Sequence, residues 1–286
     1  MGYSWHLLIR KEDISMPNHI TTLISAGTKG EVRQIIEALV TAPLPKAPSN
    51  RIIQQSDMLA QLHTPGYAVG FEKGVDFNII MEKPQELLDA TSASTFVQLE
   101  AVAKYLLTLS VTEANKRIQG LMATPYTNVD ILSRLSGTNQ ESVGNRLSEV
   151  YHRLRENGVT PNPHADSING ELLLTNVETY GYFDWYNWSV DNWGTKWNAY
   201  ETIIGDDVIG FDTAWSHPEP IIAAISKQLP TVEMFVYFAD EDLGSNCGKY
   251  TIRNGEITSS TINNDLDNPT KFAESIKGYS YSDFDD

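Results

Sequence analysis

The chain of 286 residues is long enough for one large domain or two modest ones, and its apolar runs are too short to span a bilayer. Its one cysteine excludes both an internal disulfide framework and a four-thiolate metal site. The net charge of −16 is uneven, because residues 1–150 hold 15 acidic and 13 basic residues whereas residues 151–286 hold 22 acidic and 8 basic ones. The second half, at −14 by that count, repels phosphate backbones, which disfavours direct nucleic-acid binding and favours a basic partner.

The start of the chain offers two candidate initiation sites. Met16 precedes a strand-like segment, and Lys11, Glu12 and Asp13 can be encoded by a purine-rich ribosome-binding sequence upstream of it. We therefore expect residues 1–15 to be a non-native extension. The start shows no signal peptide and the single cysteine suits a reducing compartment, so we expect a cytoplasmic protein of a bacterial host with no membrane association.

The pattern of residues 16–94 predicts the N-terminal α/β part of a sheet domain. Weak alternation of apolar residues predicts a strand over Ile20–Ala26, and a capping box predicts a helix over Lys29–Val40. A run rich in apolar residues predicts a second strand over Val75–Met81.

Leucine-rich segments with helical spacing predict a helical insertion over residues 95–160. Within it, residues 128–155 resemble a helix-turn-helix whose recognition helix is Gln140–Leu154. The side chains that such a helix offers to DNA are Arg146, His152 and Arg153. A DNA-binding regulator is therefore an alternative function, although a structural helical hairpin fits the same pattern.

The pattern of residues 169–264 predicts the C-terminal part of the sheet domain, and residues 265–286 are predicted to be an acidic tail with a short helix. An aromatic helix is predicted over Gly170–Asn192, and a helix with proline in its first turn over Pro218–Leu229. The predicted strands are Trp197–Ile204, Val208–Trp215, Val232–Ala239, Lys249–Arg253 and Glu256–Thr261. This order indicates an α+β fold, with a mainly antiparallel sheet, helices on one face and a helical insertion.

Several segments resemble a family of phage and plasmid proteins that includes the plasmid protein YubB. The segments are Met16-Pro-Asn-His19, Val75-Asp-Phe-Asn-Ile-Ile80, Tyr180-Gly-Tyr-Phe-Asp-Trp-Tyr186, Asn192-Trp-Gly-Thr-Lys-Trp-Asn198, Phe211-Asp-Thr-Ala-Trp-Ser-His-Pro-Glu-Pro220 and Phe238-Ala-Asp-Glu-Asp242. The resemblance extends from residue 16 to about residue 250. It implies a ferredoxin-like α+β domain and an accessory role on a mobile genetic element, where such proteins often act against host factors. It carries over no catalytic residues.

Five of the six tryptophans lie between Trp185 and Trp215. The helical spacing of Trp185 and Trp188 favours a buried aromatic core over a recognition surface. The candidate binding residues in this block are Trp193, Lys196, Trp197, Asn198 and Trp215. A solvated lysine is favoured for Lys196 over a cation–π partner, and Gly194 is expected to need positive φ or a close approach.

One acidic pair, one run of three acidic residues and one histidine complete the candidate binding site. They are Asp206, Asp207, Asp240, Glu241, Asp242 and His217. Their spacing matches no calcium loop, and solvated carboxylates at strand ends are favoured over a metal site. We predict no metal, no cofactor and no catalytic residue, and we expect Cys247 to be inert in its acidic surroundings.

The sequence thus favours a non-enzymatic accessory protein that binds a basic host or phage protein, with inhibition of a nucleic-acid-handling or defence enzyme as its concrete form. A metal-assisted enzyme acting on nucleotides or nucleic acid, using the same carboxylates with His217, is the second alternative. The oligomeric state is open.

Overall fold

A computed structural model describes residues 18–40, 74–123, 143–159 and 162–280. Within these ranges one antiparallel sheet contains β1 (His19–Ala26), β2 (Tyr200–Ile204), β3 (Ile209–Ala214), β4 (Met234–Asp240), β5 (Gly248–Arg253) and β6 (Glu256–Ile262). The strands lie in the order β2-β3-β1-β4-β5-β6. The first strand is therefore central, and it pairs with two strands from the distant C-terminal half of the chain.

The helices in the described ranges occur mainly in one long run between α1 and β2. They are α1 (Lys29–Leu39), α2 (Gln85–Asp89), α3 (Thr95–Leu107), α4 (Val111–Ala123), α5 (Val143–Asn157), α6 (Pro163–Asp166), α7 (Gly170–Tyr180), α8 (Trp185–Trp193), α9 (Glu219–Gln228) and α10 (Pro269–Lys277). None of the helices in these ranges has the length and apolar content that a membrane crossing requires.

Strands β1 to β4 with α1 and α9 follow the order β-α-β-β-α-β and form a sheet with β1 and β3 in its middle. This arrangement is the ferredoxin-like split βαβ fold. The predicted class, α+β with a mainly antiparallel sheet and a helical insertion, is confirmed. The β5–β6 hairpin extends the sheet beyond β4.

The central strand is buried on both faces. Ile24 of β1 shares one hydrophobic core with Ile35 of α1 and Ile225 of α9. Its neighbour Leu23 points to the opposite face, because adjacent side chains of a strand alternate, and packs there with Ile276 of α10. The short helix predicted in the tail is α10, and it covers a face of the sheet that the sequence left open.

The helical insertion has its own hydrophobic core. Buried side chains of α3, α5 and α7 meet there, among them Leu106, Leu147, Tyr151 and Leu174. The first half of the predicted helix-turn-helix lies outside the described residues, as do residues 1–15. The predicted division of the chain into segments stays a prediction.

Two sequence-predicted elements differ from the structure. The strand predicted over Val75–Met81 is wrong, because only Val75 makes a bridge and a 3-10 helix follows at Phe77–Ile79. The side chain of Asp76 accepts a hydrogen bond from the backbone N–H of Asn78, which caps the 3-10 helix and ends the strand. The aromatic helix predicted over Gly170–Asn192 is divided into α7 and α8, since Gly181 takes a left-handed conformation with φ of 81°.

The contact between α3 and α7 generates a stability prediction. A Cβ atom on Gly170 would lie 2.2 Å from the carbonyl oxygen of Ala101, so the two helices must separate to admit it. We expect Gly170→Ala to lower the free energy of unfolding by about 1–3 kcal/mol in urea denaturation. Gly120→Ala in α4 is the matched control, because no described atom lies within 4 Å of its Cβ position. It should raise stability by about 0.5–1 kcal/mol through helix propensity, and equal effects of the two changes would contradict the packing.

Candidate functional site

The clustered tryptophans divide between core and surface. Trp188 and Trp193 are buried, and the indole N–H of Trp193 donates to the carbonyl of Met81 at 2.9 Å. Trp197 and Trp215 remain 39% and 40% exposed. A buried core therefore accounts for only some of the clustered tryptophans. Among the predicted site residues, Trp193 is part of that core.

Four side chains form what we call the aromatic surface: Tyr186, Lys196, Trp197 and Trp215. The ammonium of Lys196 lies 4.8 Å from the ring centroid of Trp197 and 4.6 Å from that of Trp215, within cation–π range. Tyr186 packs edge-to-face against Trp215 with centroids 6.0 Å apart. Lys196 is therefore a cation–π partner of two exposed indoles, and the solvated lysine that the sequence favoured is wrong.

The turn after α8 positions this surface. Gly194 ends α8 in the left-handed conformation with φ of 78°, and a Cβ atom there would lie 2.6 Å from Cδ of Pro220. Both properties expected of Gly194, positive φ and close approach, are present. Thr195 then donates its hydroxyl to the carbonyl of Ala214, which fixes the turn against the end of β3.

Trp215 has an unusual backbone conformation. Its φ is 73°, in the left-handed region, which costs a residue with a Cβ atom roughly 1–2 kcal/mol. Its N–H donates to the carbonyl of Asn18 at 2.8 Å, and its own carbonyl accepts from Nδ2 of Asn246 at 3.2 Å. The strained backbone holds an indole that is 40% exposed, and such backbone outliers concentrate at functional sites.

Carboxylates lie at the same end of the sheet, and we call them the acidic rim: Glu201, Asp212, Glu241 and Asp242. The backbone N–H of Glu241 donates to the carbonyl of His19 at 3.0 Å. The backbone N–H of Trp215 donates to the carbonyl of Asn18, the residue before His19. The segments leaving β3 and β4 are therefore about 10 Å apart, two strand spacings. Burial raises the pKa of Tyr200 to about 12, with added contributions from three of the rim carboxylates.

Asp240 belongs to the predicted site but is an internal anchor. It is 4% exposed, and its carboxylate accepts hydrogen bonds from Nδ2 of Asn18 and Nδ2 of Asn246. The backbone N–H of Asp242 donates to the same carboxylate at 3.0 Å. Asp240 therefore orders the loop that carries the rim and leaves Glu241 and Asp242 exposed.

Asp206 and Asp207 lie at the opposite end of the sheet, in the β2–β3 turn. The ammonium of Lys29 is 3.1 Å from each carboxylate, and the side chain of Asp207 is fully buried. The single carboxylate cluster considered for a metal-assisted enzyme is not assembled. Across the described residues, no three histidine, cysteine or acidic side chains are grouped in a way that could hold a metal ion.

His217 packs into the core beneath α9. Its ring stacks on Phe238 with centroids 3.9 Å apart, and Nε2 lies 3.9 Å from the carboxylate of Glu219. Burial lowers the pKa of His217 to about 4, so the ring is neutral near pH 7. An open cavity of about 430 Å³ lies between this ring, Gly194 and Pro220.

Asn198 also has a structural role. Its Oδ1 accepts from the backbone N–H of Phe77 at 2.9 Å, and its Nδ2 donates to Asp76 at 2.8 Å. Of the predicted site residues, Lys196, Trp197 and Trp215 lie together on the surface, and Glu241 and Asp242 lie at the same end of the sheet, two strands away.

The sequence missed Lys83, which lies far from the tryptophans along the chain. Its ammonium is 4.0 Å from the ring centroid of Trp193 and 5.2 Å from that of Trp185. No sequence pattern signals this contact, because it depends on packing of the segment before α2 against α8. Tyr186 was also missed, although its position beside Trp185 in the aromatic run is a weak signal.

The described part of the alternative DNA-binding helix, α5, turns its apolar face inward. His152 and Arg153 are exposed, and the guanidinium of Arg153 lies 5.7 Å from the ring centroid of Phe96. Arg146 is half-buried. The other half of the motif lies outside the described residues, so the DNA-binding alternative stays a prediction.

One comparison with known protein families agrees with the fold of the C-terminal part of the sheet. A family model described as the ferredoxin-like domain in Api92-like protein matches residues 192–275, the stretch from the end of α8 into α10. A solved structure, that of a protein api92 from Yersinia pseudotuberculosis, is similar at 10% identity with a TM-score of 0.29, covering 85% of this chain and 96% of that one. No curated protein matches the chain.

Trp215→Gly tests whether Trp215 serves stability or recognition. Glycine adopts φ near 73° without strain, so the free energy of unfolding should stay within about 1 kcal/mol of the wild-type value. Trp193→Ala is the buried comparison and should cost about 3–5 kcal/mol in the same urea titration. A loss at Trp215 as large as that at Trp193 would make Trp215 a structural residue.

The burial of His217 predicts acid sensitivity. With its folded pKa lowered to about 4 from 6.5, the unfolded chain binds a proton between these pH values that the folded chain does not. Stability that is present above about pH 6.5 should therefore fall as the pH decreases, by at most about 3 kcal/mol from this group. Urea unfolding of wild type and His217→Gln between pH 4 and 7 isolates the histidine. Parallel pH curves would contradict the burial.

Proposed function

We propose that this chain is a non-enzymatic binding protein whose recognition site combines the aromatic surface with the acidic rim, and that its partner is a basic protein. The observation that carries the proposal is Trp215, an exposed indole held in strained backbone at the end of the sheet that also carries Glu241 and Asp242. Indole rings and carboxylates together suit lysine and arginine side chains, through cation–π contacts and charge-assisted hydrogen bonds. Tryptophan is also among the residues that most often dominate binding energy.

The concrete form of this function is inhibition of a nucleic-acid-handling or defence enzyme by mimicry of its substrate. Proteins that bind single strands combine a basic groove for phosphates with contacts to the flat faces of bases. Carboxylates of the acidic rim offer negative charge to such a groove, and Trp197 and Trp215 offer flat rings beside it. The charge of −14 on residues 151–286 supports the same reading, because it steers a basic partner toward this half.

The resemblance to phage and plasmid proteins supports the setting of this function. We propose an accessory protein of a phage, prophage or plasmid that acts in the cytoplasm of its bacterial host.

Affinity capture from a lysate of the bacterial host tests this proposal, followed by competition between this chain and single-stranded DNA for the captured protein. We expect a salt-sensitive partner that the chain displaces from DNA. Trp215→Gly should weaken its binding by about tenfold or more, as hot-spot tryptophans do. The double change Glu241→Gln with Asp242→Asn should weaken binding mostly at low salt, because rim charges act through screened electrostatics.

The control for charge is Glu233→Gln with Glu256→Gln, which removes two carboxylates at the opposite end of the sheet. Its affinity for the captured protein should match wild type. Equal affinity of all three variants, or a captured protein that binds alongside DNA without competing, would overturn the proposed function.

A further inference from the structure

A second candidate site lies in the cavity above Lys83. This open cavity of about 360 Å³ is lined by Lys83, Leu88, Trp185, Trp193, Trp197 and two asparagines. Three indole rings give it flat apolar walls, and the residue Lys83 is 8% exposed. Lys83 thus places a largely buried ammonium at the wall of an aromatic cavity. This combination is typical of small-molecule sites.

Lys83 has no carboxylate partner among the described residues. Its ammonium faces the rings of Trp193, Trp185 and Trp188, at 4.0, 5.2 and 6.0 Å from their centroids. Burial lowers the pKa of Lys83 to about 8, and no charged neighbour opposes this shift. Cation–π contacts offset part of the cost of removing the ammonium from water, and an anion in the cavity offsets more.

The other polar groups of the cavity are committed to the protein. Asn78 accepts from the backbone N–H of Lys83 at 3.1 Å, and its Nδ2 donates to Asp76 at 2.9 Å. Asn198 donates to the same Asp76 oxygen at 2.8 Å. The ammonium of Lys83 is therefore the charged donor that the cavity presents to a ligand.

We propose that this cavity binds a small planar molecule that carries a carboxylate, with the carboxylate on the ammonium of Lys83 and the ring against the indoles of Trp185 and Trp197. A single ammonium matches the single charge of a carboxylate. The flat walls match a ring, since stacked and edge-on aromatic contacts are favourable. The site is independent of the proposed partner surface except that Trp197 borders both.

The test compares 2-naphthoate with its neutral analogue 2-naphthamide by calorimetric titration of the full chain near pH 7. We expect 2-naphthoate to bind about tenfold more tightly or better, because charge-assisted hydrogen bonds exceed neutral ones. Lys83→Met keeps the length and apolar body of the side chain, and it should abolish the preference. Lys271→Met, an exposed lysine on α10, is the matched control and should retain it.

A pH titration of the wild-type chain tests whether the charge of Lys83 causes the preference for 2-naphthoate, without the use of a variant. At about pH 9.5 the amine of Lys83 is mostly neutral, so the preference for 2-naphthoate should disappear while binding of 2-naphthamide persists. Absence of 2-naphthoate binding, equal binding of the two probes near pH 7, or an undiminished preference in Lys83→Met would overturn the proposal. None of these outcomes bears on the basic partner, which is measured separately with Trp215→Gly.

Discussion

Antiparallel pairing of β1 with β3 on one side and β4 on the other is the interaction on which the rest of the structure depends. It places a strand from the start of the described chain between two strands from its distal half, and burial of Ile24 and Leu23 on opposite faces holds it there. The same strand organises the candidate site, because the carbonyls of Asn18 and His19 accept the N–H groups of Trp215 and Glu241. Loss of this pairing would remove the sheet and the site together.

The aromatic block connects the sheet to the helical insertion. Trp193 packs in the sheet core, yet its N–H donates to the carbonyl of Met81 in the segment before α2, and Lys83 of that segment lies over its ring. Trp197 and Trp215 continue the block onto the surface. One run of sequence therefore supplies packing energy at one end and recognition chemistry at the other, and the left-handed turn at Gly194 separates the two roles.

Much of the fold was predictable because its signals are local. The capping box before α1, the proline at the start of α9 and the two-residue turn Asn254-Gly255 between the last two predicted strands each act within a few residues. The structure confirms the two helices and the hairpin that they predict. The prediction of a strand over Val75–Met81 is wrong because the side chain of Asp76 accepts a hydrogen bond from the backbone N–H of Asn78. This local hydrogen bond favours a turn over the strand. The carboxylate cluster of the alternative enzyme is not assembled for a different reason, since sequence spacing does not reveal which end of a sheet a turn occupies.

The sequence by itself determined the α+β class, the acidic second half and the aromatic run, because composition and short-range periodicity follow from the order of residues alone. Only the tertiary structure decided that Trp193 is core and Trp215 surface, and that Asp207 is buried with Lys29 while Glu241 is exposed. It also brought Lys83 to the indoles. These outcomes depend on contacts between segments far apart in the chain, where burial and pairing are set by packing that no local pattern encodes.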